Sequence, residues 1–135
     1  MSGKDDDEPK RPVTLLLDRS ALLAYPYSIH VGEPVGEVIK DGDRYGVTDV
    51  TVAETLELVT DPKQRQHLYQ LLRRDSCAVL PTKGDWRELS YWRGATGRID
   101  LATTVMASLD NGGAAILSGE GNRYGEHLPV IHMPK

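Results

Sequence analysis

The sequence predicts an α/β domain, three layers of α/β/α around a central parallel sheet of about five strands. Three observations lead there. Apolar runs of strand length recur along the chain, stretches with apolar residues at helical spacing lie between them, and the two patterns alternate from Val13 to His132. Strands that alternate with helices pair in parallel through right-handed crossovers.

The first strand is Val13-Thr14-Leu15-Leu16-Leu17, which stops at Asp18. A short helix over Ser20 to Tyr25 ends at Pro26, because proline disfavours helical geometry in the residue before it. A second helix spans Glu33 to Lys40, with Val35, Val38 and Ile39 on one face and Asp41-Gly42-Asp43 as the closing turn. Gly46 to Asp49 is a short strand, followed by a helix over Thr51 to Thr60 whose stripe is Val52, Leu56 and Val59 and which carries Glu54. Asp61 caps a helix with Pro62 in its first turn and Leu68, Leu71 and Leu72 as its buried side. Cys77 to Leu80 returns as a strand. Thr82 is expected to cap a helix through Asp85, Trp86, Leu89 and Trp92, with Trp86 packed inward and Gly94 and Gly97 interrupting it. Asp100 to Leu109 reads as a largely buried helix stopped by Asn111-Gly112-Gly113. Ala114 to Leu117 is the next strand, Ser118 to Gly125 a polar loop or short helix, and Leu128 to His132 the last strand.

A chain of 135 residues favours one domain. Met1 to Arg11 has no apolar residue after Met1 and includes Asp5-Asp6-Asp7-Glu8, so it is expected to be a disordered acidic tail ahead of a single domain over residues 12–135. No apolar run approaches the roughly 20 residues of a membrane span, and the acidic start is unlike a signal peptide, so a cytoplasmic protein with no membrane association is expected. A lone Cys77 forms no internal disulfide and is expected to be a buried small hydrophobe. The net charge of −4 gives no global attraction to nucleic acid, so any such contact must be local. Acidity suits a protein that gathers carboxylates around a divalent metal, and it suits a solvated surface equally.

The carboxyl ends of parallel strands are where ligands bind in open α/β sheets. Asp18 ends the first strand, Glu120 follows the fourth, and Asp100 and Glu54 lie near the starts of helices that begin at that same edge. Crowded carboxylates raise one another's pKa and are tolerable chiefly when a cation neutralises them. Mg²⁺ or Mn²⁺ is the natural partner, and oxygen-bound metals activate water for phosphodiester hydrolysis without His or Cys. Each acid also has a plainer role: Asp18 and Asp100 as helix caps, Glu54 as an exposed helix residue, Glu120 as a loop residue.

With these residues in view, the chain resembles a PIN domain, the fold of the VapC-type toxin ribonucleases. Leu15-Leu16-Leu17-Asp18-Arg19-Ser20-Ala21-Leu22-Leu23-Ala24 resembles that family's opening strand and helix, Val52-Ala53-Glu54-Thr55-Leu56 its acidic mid-chain helix, and Ile99-Asp100-Leu101-Ala102 its third acidic segment. Ala115-Ile116-Leu117-Ser118-Gly119-Glu120 stands where the family usually has a strand and T-x-D, so Glu120 replaces the commoner Asp. The resemblance spans about Val13 to Met133. It implies a metal-dependent endoribonuclease with Asp18, Glu54, Asp100 and Glu120 as catalytic metal ligands, Mg²⁺ or Mn²⁺ as cofactor, an RNA substrate, a cognate antitoxin and a homodimer. Arg19, Ser20, Arg98, Ser118 and Arg123 are the candidate RNA contacts by position, with Lys83, Arg87 and Arg93 further basic residues near the edge.

The alternative within the same fold is a catalytically silent module that binds RNA or a protein partner. A nucleotide-binding loop at Gly119-x-Gly121-x-x-x-Gly125 has the wrong final spacing and encloses Glu120. A phosphoacceptor domain would need a lysine after its last strand, where only the terminal Lys135 stands.

Overall fold

A computed structural model of the chain describes residues 11–134. Residues 1–10 of the expected acidic tail lie outside the described residues. Arg11, its last residue, donates from its guanidinium to the Asp75 carbonyl at 2.9 Å, and its own carbonyl accepts from Arg44 Nε at 2.8 Å.

The protein is a three-layer α/β/α structure. Its strands are β1 (Val13–Leu17), β2 (Arg44–Thr48), β3 (Cys77–Leu80), β4 (Ala115–Ser118) and β5 (Val130–His132). All pair in parallel in the order β3-β2-β1-β4-β5. The order runs one way from β1 to β3 and then returns to the other side of β1 for β4. A topological switch point therefore lies between β1 and β4, where a crevice opens at the carboxyl ends of the strands.

The helices are α1 (Arg19–Ala24), α2 (Ile29–Lys40), α3 (Asp49–Leu58), α4 (Pro62–Arg73), α5 (Trp86–Thr96) and α6 (Ile99–Asp110). One face of the sheet presents Leu15, Leu17, Tyr45 and Val47 to Leu22, Val31, Val35, Leu68 and Leu71. The other presents Leu16, Ala78 and Ile116 to Leu101, Val105 and Tyr124. Fully burying a side chain of this kind contributes roughly 1.5–3 kcal/mol. Val13 joins the second face although simple alternation would put it beside Leu15, because the register with β2 slips between Val13 and Leu15. Gly46 faces Val13 there, and a Cβ on it would meet Val13 Cγ1 at 2.9 Å and Leu16 Cδ2 at 3.1 Å. Nothing larger than glycine fits without moving both.

Five local expectations need correction. α2 begins at Ile29, ahead of the expected Glu33, because Ser28 Oγ accepts from the His30 amide at 3.2 Å and supplies a cap upstream. Pro34 is carried inside that helix at the loss of one backbone bond, which burial of Val31 and Val35 offsets. α3 begins at Asp49 and buries Thr51 and Thr55, while the expected stripe residues Val52 and Leu56 are only partly buried. α5 is capped by Asp85, not Thr82, whose hydroxyl instead donates to Asp49 Oδ1 at 2.6 Å. Trp86 points to solvent, 72% exposed, with the Arg87 guanidinium 5.1 Å from its ring centroid, so it does not pack inward; Trp92, further along the same helix, packs on the second core. Gly94 stays within α5, and Gly97, at φ +89°, ends it in the left-handed conformation.

Cys77 is partly buried against the first core, and burial pushes its thiol up to about 11. The thiol stays protonated and poorly nucleophilic at neutral pH. Among the described residues no helix is long and apolar enough to cross a membrane.

Candidate active site

The carboxyl edge of the sheet gathers acids from separate stretches of chain. Asp18 leaves the end of β1 fully buried and is the N-cap of α1. Its Oδ1 accepts from the Ala21 amide at 3.1 Å and from Ser20 Oγ, while Oδ2 accepts from Tyr124 Oη at 2.8 Å. The capping role and a site role are therefore combined in one carboxylate. Burial, then the Asp18 charge and this hydrogen bond, drive the Tyr124 hydroxyl far above its ordinary range, so it remains a donor at all physiological pH.

Ser20 also ties α1 to the exit of β4. Its Oγ accepts from the Gly119 amide at 2.8 Å and lies 3.5 Å from Ser118 Oγ, which in turn accepts from the Glu120 amide at 2.8 Å. Ser118 is fully buried, so its hydroxyl shapes the loop and has no surface to offer an RNA. The loop it shapes carries Glu120.

Asp100 is the second residue of α6, with Arg98 at the N-cap position, so it does not cap the helix. Its carboxylate is 1% exposed and faces Arg98, whose Nε and Nη2 donate to Oδ1 and Oδ2 at 3.0 Å each. The same guanidinium donates from Nη1 and Nη2 to the two oxygens of Glu120 at 2.9 Å each. Burial alone would raise the Asp100 pKa, but the hydrogen bonds and charge of Arg98, aided by Arg19, outweigh it and hold the group below its ordinary value. Arg98 likewise holds Glu120 down against a smaller burial penalty. Both acids in return push the Arg98 guanidinium further up, so its charge is permanent. Arg123, half exposed, adds a looser contact to Glu120 at 3.7 Å.

Glu54 on α3 has a different environment. Among the described residues its Oε1 is buried without a hydrogen-bond partner, and Arg19 Nη1 stands 3.8 Å away, beyond hydrogen-bond reach. Burial, followed by the Asp100 charge, raises its carboxyl above the ordinary value, with Arg19 opposing. The two acid-bearing helices are locked by hydroxyls: Thr48 Oγ1, at the end of β2, lies 2.8 Å from both Thr51 Oγ1 on α3 and Thr103 Oγ1 on α6. Thr103 and Thr104 also donate to the Asp100 carbonyl at 2.8 and 2.9 Å.

Asp18, Glu54, Asp100 and Glu120 thus meet at one edge around Arg98, Arg19 and Tyr124. The donors are all carboxylate oxygens, and one is buried and unsatisfied; such a set fits a hard divalent cation. Among the described residues, however, no three of these side chains converge on one point as they stand, with Arg98 between Asp100 and Glu120. Of the residues singled out as RNA contacts, Arg19 and Arg98 turn toward acids, Ser20 and Ser118 bind the loop, and Arg123 reaches solvent.

Sequence reasoning missed the inward turn of Arg98, Tyr124 as the donor to Asp18, and the threonine lock. Two pairs of threonines, Thr48 and Thr51 at the start of α3 and Thr103 and Thr104 in α6, are the signal that would have flagged the lock, since buried hydroxyls need partners. Nothing local flags Tyr124, which lies 106 residues from Asp18.

The fold and site define an α/β/α protein with a carboxylate cluster at its topological switch point. No protein-family model matches the chain, and no curated protein matches it significantly.

Proposed function

We propose that the protein is a metal-dependent ribonuclease of the PIN type, which hydrolyses RNA phosphodiester bonds with Mg²⁺ or Mn²⁺. The observation that carries the reading is the arrival of Asp18, Glu54, Asp100 and Glu120 at one sheet edge, with Glu54 Oε1 buried and, among the described residues, without a hydrogen-bond donor. In this reading the four carboxylates are the metal-holding set. The bound ion would supply charge to polarise the phosphate and would lower the pKa of a water molecule.

The chain's own residues do the rest. Ser20, Ala21 and Tyr124 fix the Asp18 carboxylate in one orientation through three donors. The threonine lock holds the helices of Glu54 and Asp100 in a constant relation. Arg123 is the exposed cation beside Glu120 that a phosphate group would meet on approach. By the same reading the protein works in the cytoplasm, forms a homodimer and is inhibited by a cognate antitoxin.

A second reading, a silent module that binds RNA or protein, is favoured by one observation: Arg98 already neutralises Asp100 and Glu120. Cleavage of structured RNA in Mg²⁺ or Mn²⁺ separates the two. The parent protein is expected to cut and Asp18→Asn to lose at least a hundredfold in rate. Equal rates for both, or no cleavage by the parent at millimolar metal, leave only the silent module.

A further inference from the structure

One guanidinium makes four charge-assisted hydrogen bonds to two carboxylates of the cluster, at 2.9 to 3.0 Å. Paired planar contacts of this kind are the strongest ion pairs a protein forms, and they consume the in-plane lone pairs that would otherwise point at a cation. Backbone geometry holds the residue there. Gly97 turns the chain with φ +89°, Arg98 follows in extended conformation as the N-cap of α6, and the Thr96 hydroxyl donates to the Arg98 carbonyl at 3.2 Å. The side chain of Arg98 retains 23% exposure, so it is not sealed inside the fold.

We propose that Arg98 is the resident counter-cation of the carboxylate cluster, and that a divalent cation enters by displacing its guanidinium from Asp100 and Glu120. The inference rests on the metal-binding part of the reading above. It follows from charge and geometry together. Four acids at one sheet edge repel, and Glu54, which the Arg98 fork does not bond, shows the cost in an oxygen with no hydrogen-bond donor among the described residues. Arg98 lets the remaining cluster persist without metal. Among the described residues no three carboxylates converge on one point, and the fork occupies two of the four, so metal affinity is lowered by whatever it takes to break four hydrogen bonds. Glu120, one methylene longer than Asp, reaches Arg98 from the β4 loop and completes the fork.

The test is calorimetric titration of the chelator-stripped full chain with MnCl₂, accompanied by thermal melting with and without Mn²⁺. Arg98→Gln is expected to bind Mn²⁺ at least tenfold more tightly than the parent, to melt lower than the parent in chelator, and to gain more on adding Mn²⁺. Arg98→Lys keeps the charge and loses the fork, so it should fall between them; if the Gln variant does not fold, tighter binding by the Lys variant decides. Mn²⁺ binding by the variant that is equal to the parent's, weaker or absent overturns the proposal. So does a gain that survives addition of Asp18→Asn, since the metal then sits elsewhere. A gain in Mn²⁺ affinity in a protein that cuts no RNA sinks the ribonuclease reading alone. Metal-dependent cleavage by the parent with no gain in Arg98→Gln sinks the counter-cation alone.

Discussion

The two halves of the carboxylate cluster solve the same problem differently. Asp100 and Glu120 share a dedicated cation and sit below their ordinary pKa, whereas Glu54 has a buried oxygen with no donor and sits above its own. A buried carboxylate is stable when donors replace the water it has lost, and it becomes a strained, available ligand when they do not. Asp18 has hydrogen-bond donors of its own, from Ser20, Ala21 and Tyr124. The asymmetry makes Glu54 the corner of the site with an oxygen to spare.

Breaking the satisfied half has the largest expected effect. Arg98→Met in chelator leaves Asp100 buried and uncompensated beside Glu54, and is expected to cost about 3 kcal/mol, the low end for removing one partner of a buried pair because Arg98 is partly exposed. Urea unfolding measures it, and a loss under 1 kcal/mol would mean that water replaces the guanidinium without penalty.

Tyr124→Phe is the milder break. It strips one donor from a fully buried Asp18 and is expected to destabilise by about 1–2 kcal/mol, with no change in the unfolding slope.

The smallest effect has the opposite sign. Glu54→Gln removes a charge whose folded pKa is raised, so it should stabilise the metal-free protein by at most about 1 kcal/mol at pH 7, discounted for a side chain about one third exposed. A raised carboxylate penalises the fold only where it is ionised. The gain is therefore absent below the unfolded value near pH 4.5, appears as pH rises through it, and is complete above the folded pKa. Asp100 and Glu120, held down, act the other way in the same protein: their contribution is present above their unfolded values and lost as pH falls through the folded ones. A Glu54→Gln variant less stable than the parent at pH 7 would mean that Glu54 has a donor after all.

How much of this was legible before folding differs from residue to residue. Asp18 at the end of a strand, Glu54 on a helix and Glu120 beyond β4 follow from apolar periodicity, because the alternation of strand and helix sends these positions to one edge. Asp100 was legible as a residue at the start of α6, but its partner was not. Arg98 lies two residues away, and adjacency alone does not say whether a side chain turns to solvent or inward. That choice is made by Glu120, which arrives from 22 residues downstream to complete the fork. Trp86 failed for the related reason that helical spacing names a stripe without naming what covers it, and here the ring stays largely exposed with only its neighbour Arg87 recorded over it among the described residues.

The sequence by itself determined the order of elements, the parallel sheet and the edge at which the acids meet, since these depend on local periodicity and chain connectivity. Only the tertiary structure decided which acid has a partner. Partnership in this site depends on segments apart in the chain coming within about 3 Å of one another: Tyr124 on Asp18, Glu120 on the Arg98 that also holds its neighbour Asp100, and, among the described residues, no donor on Glu54 Oε1.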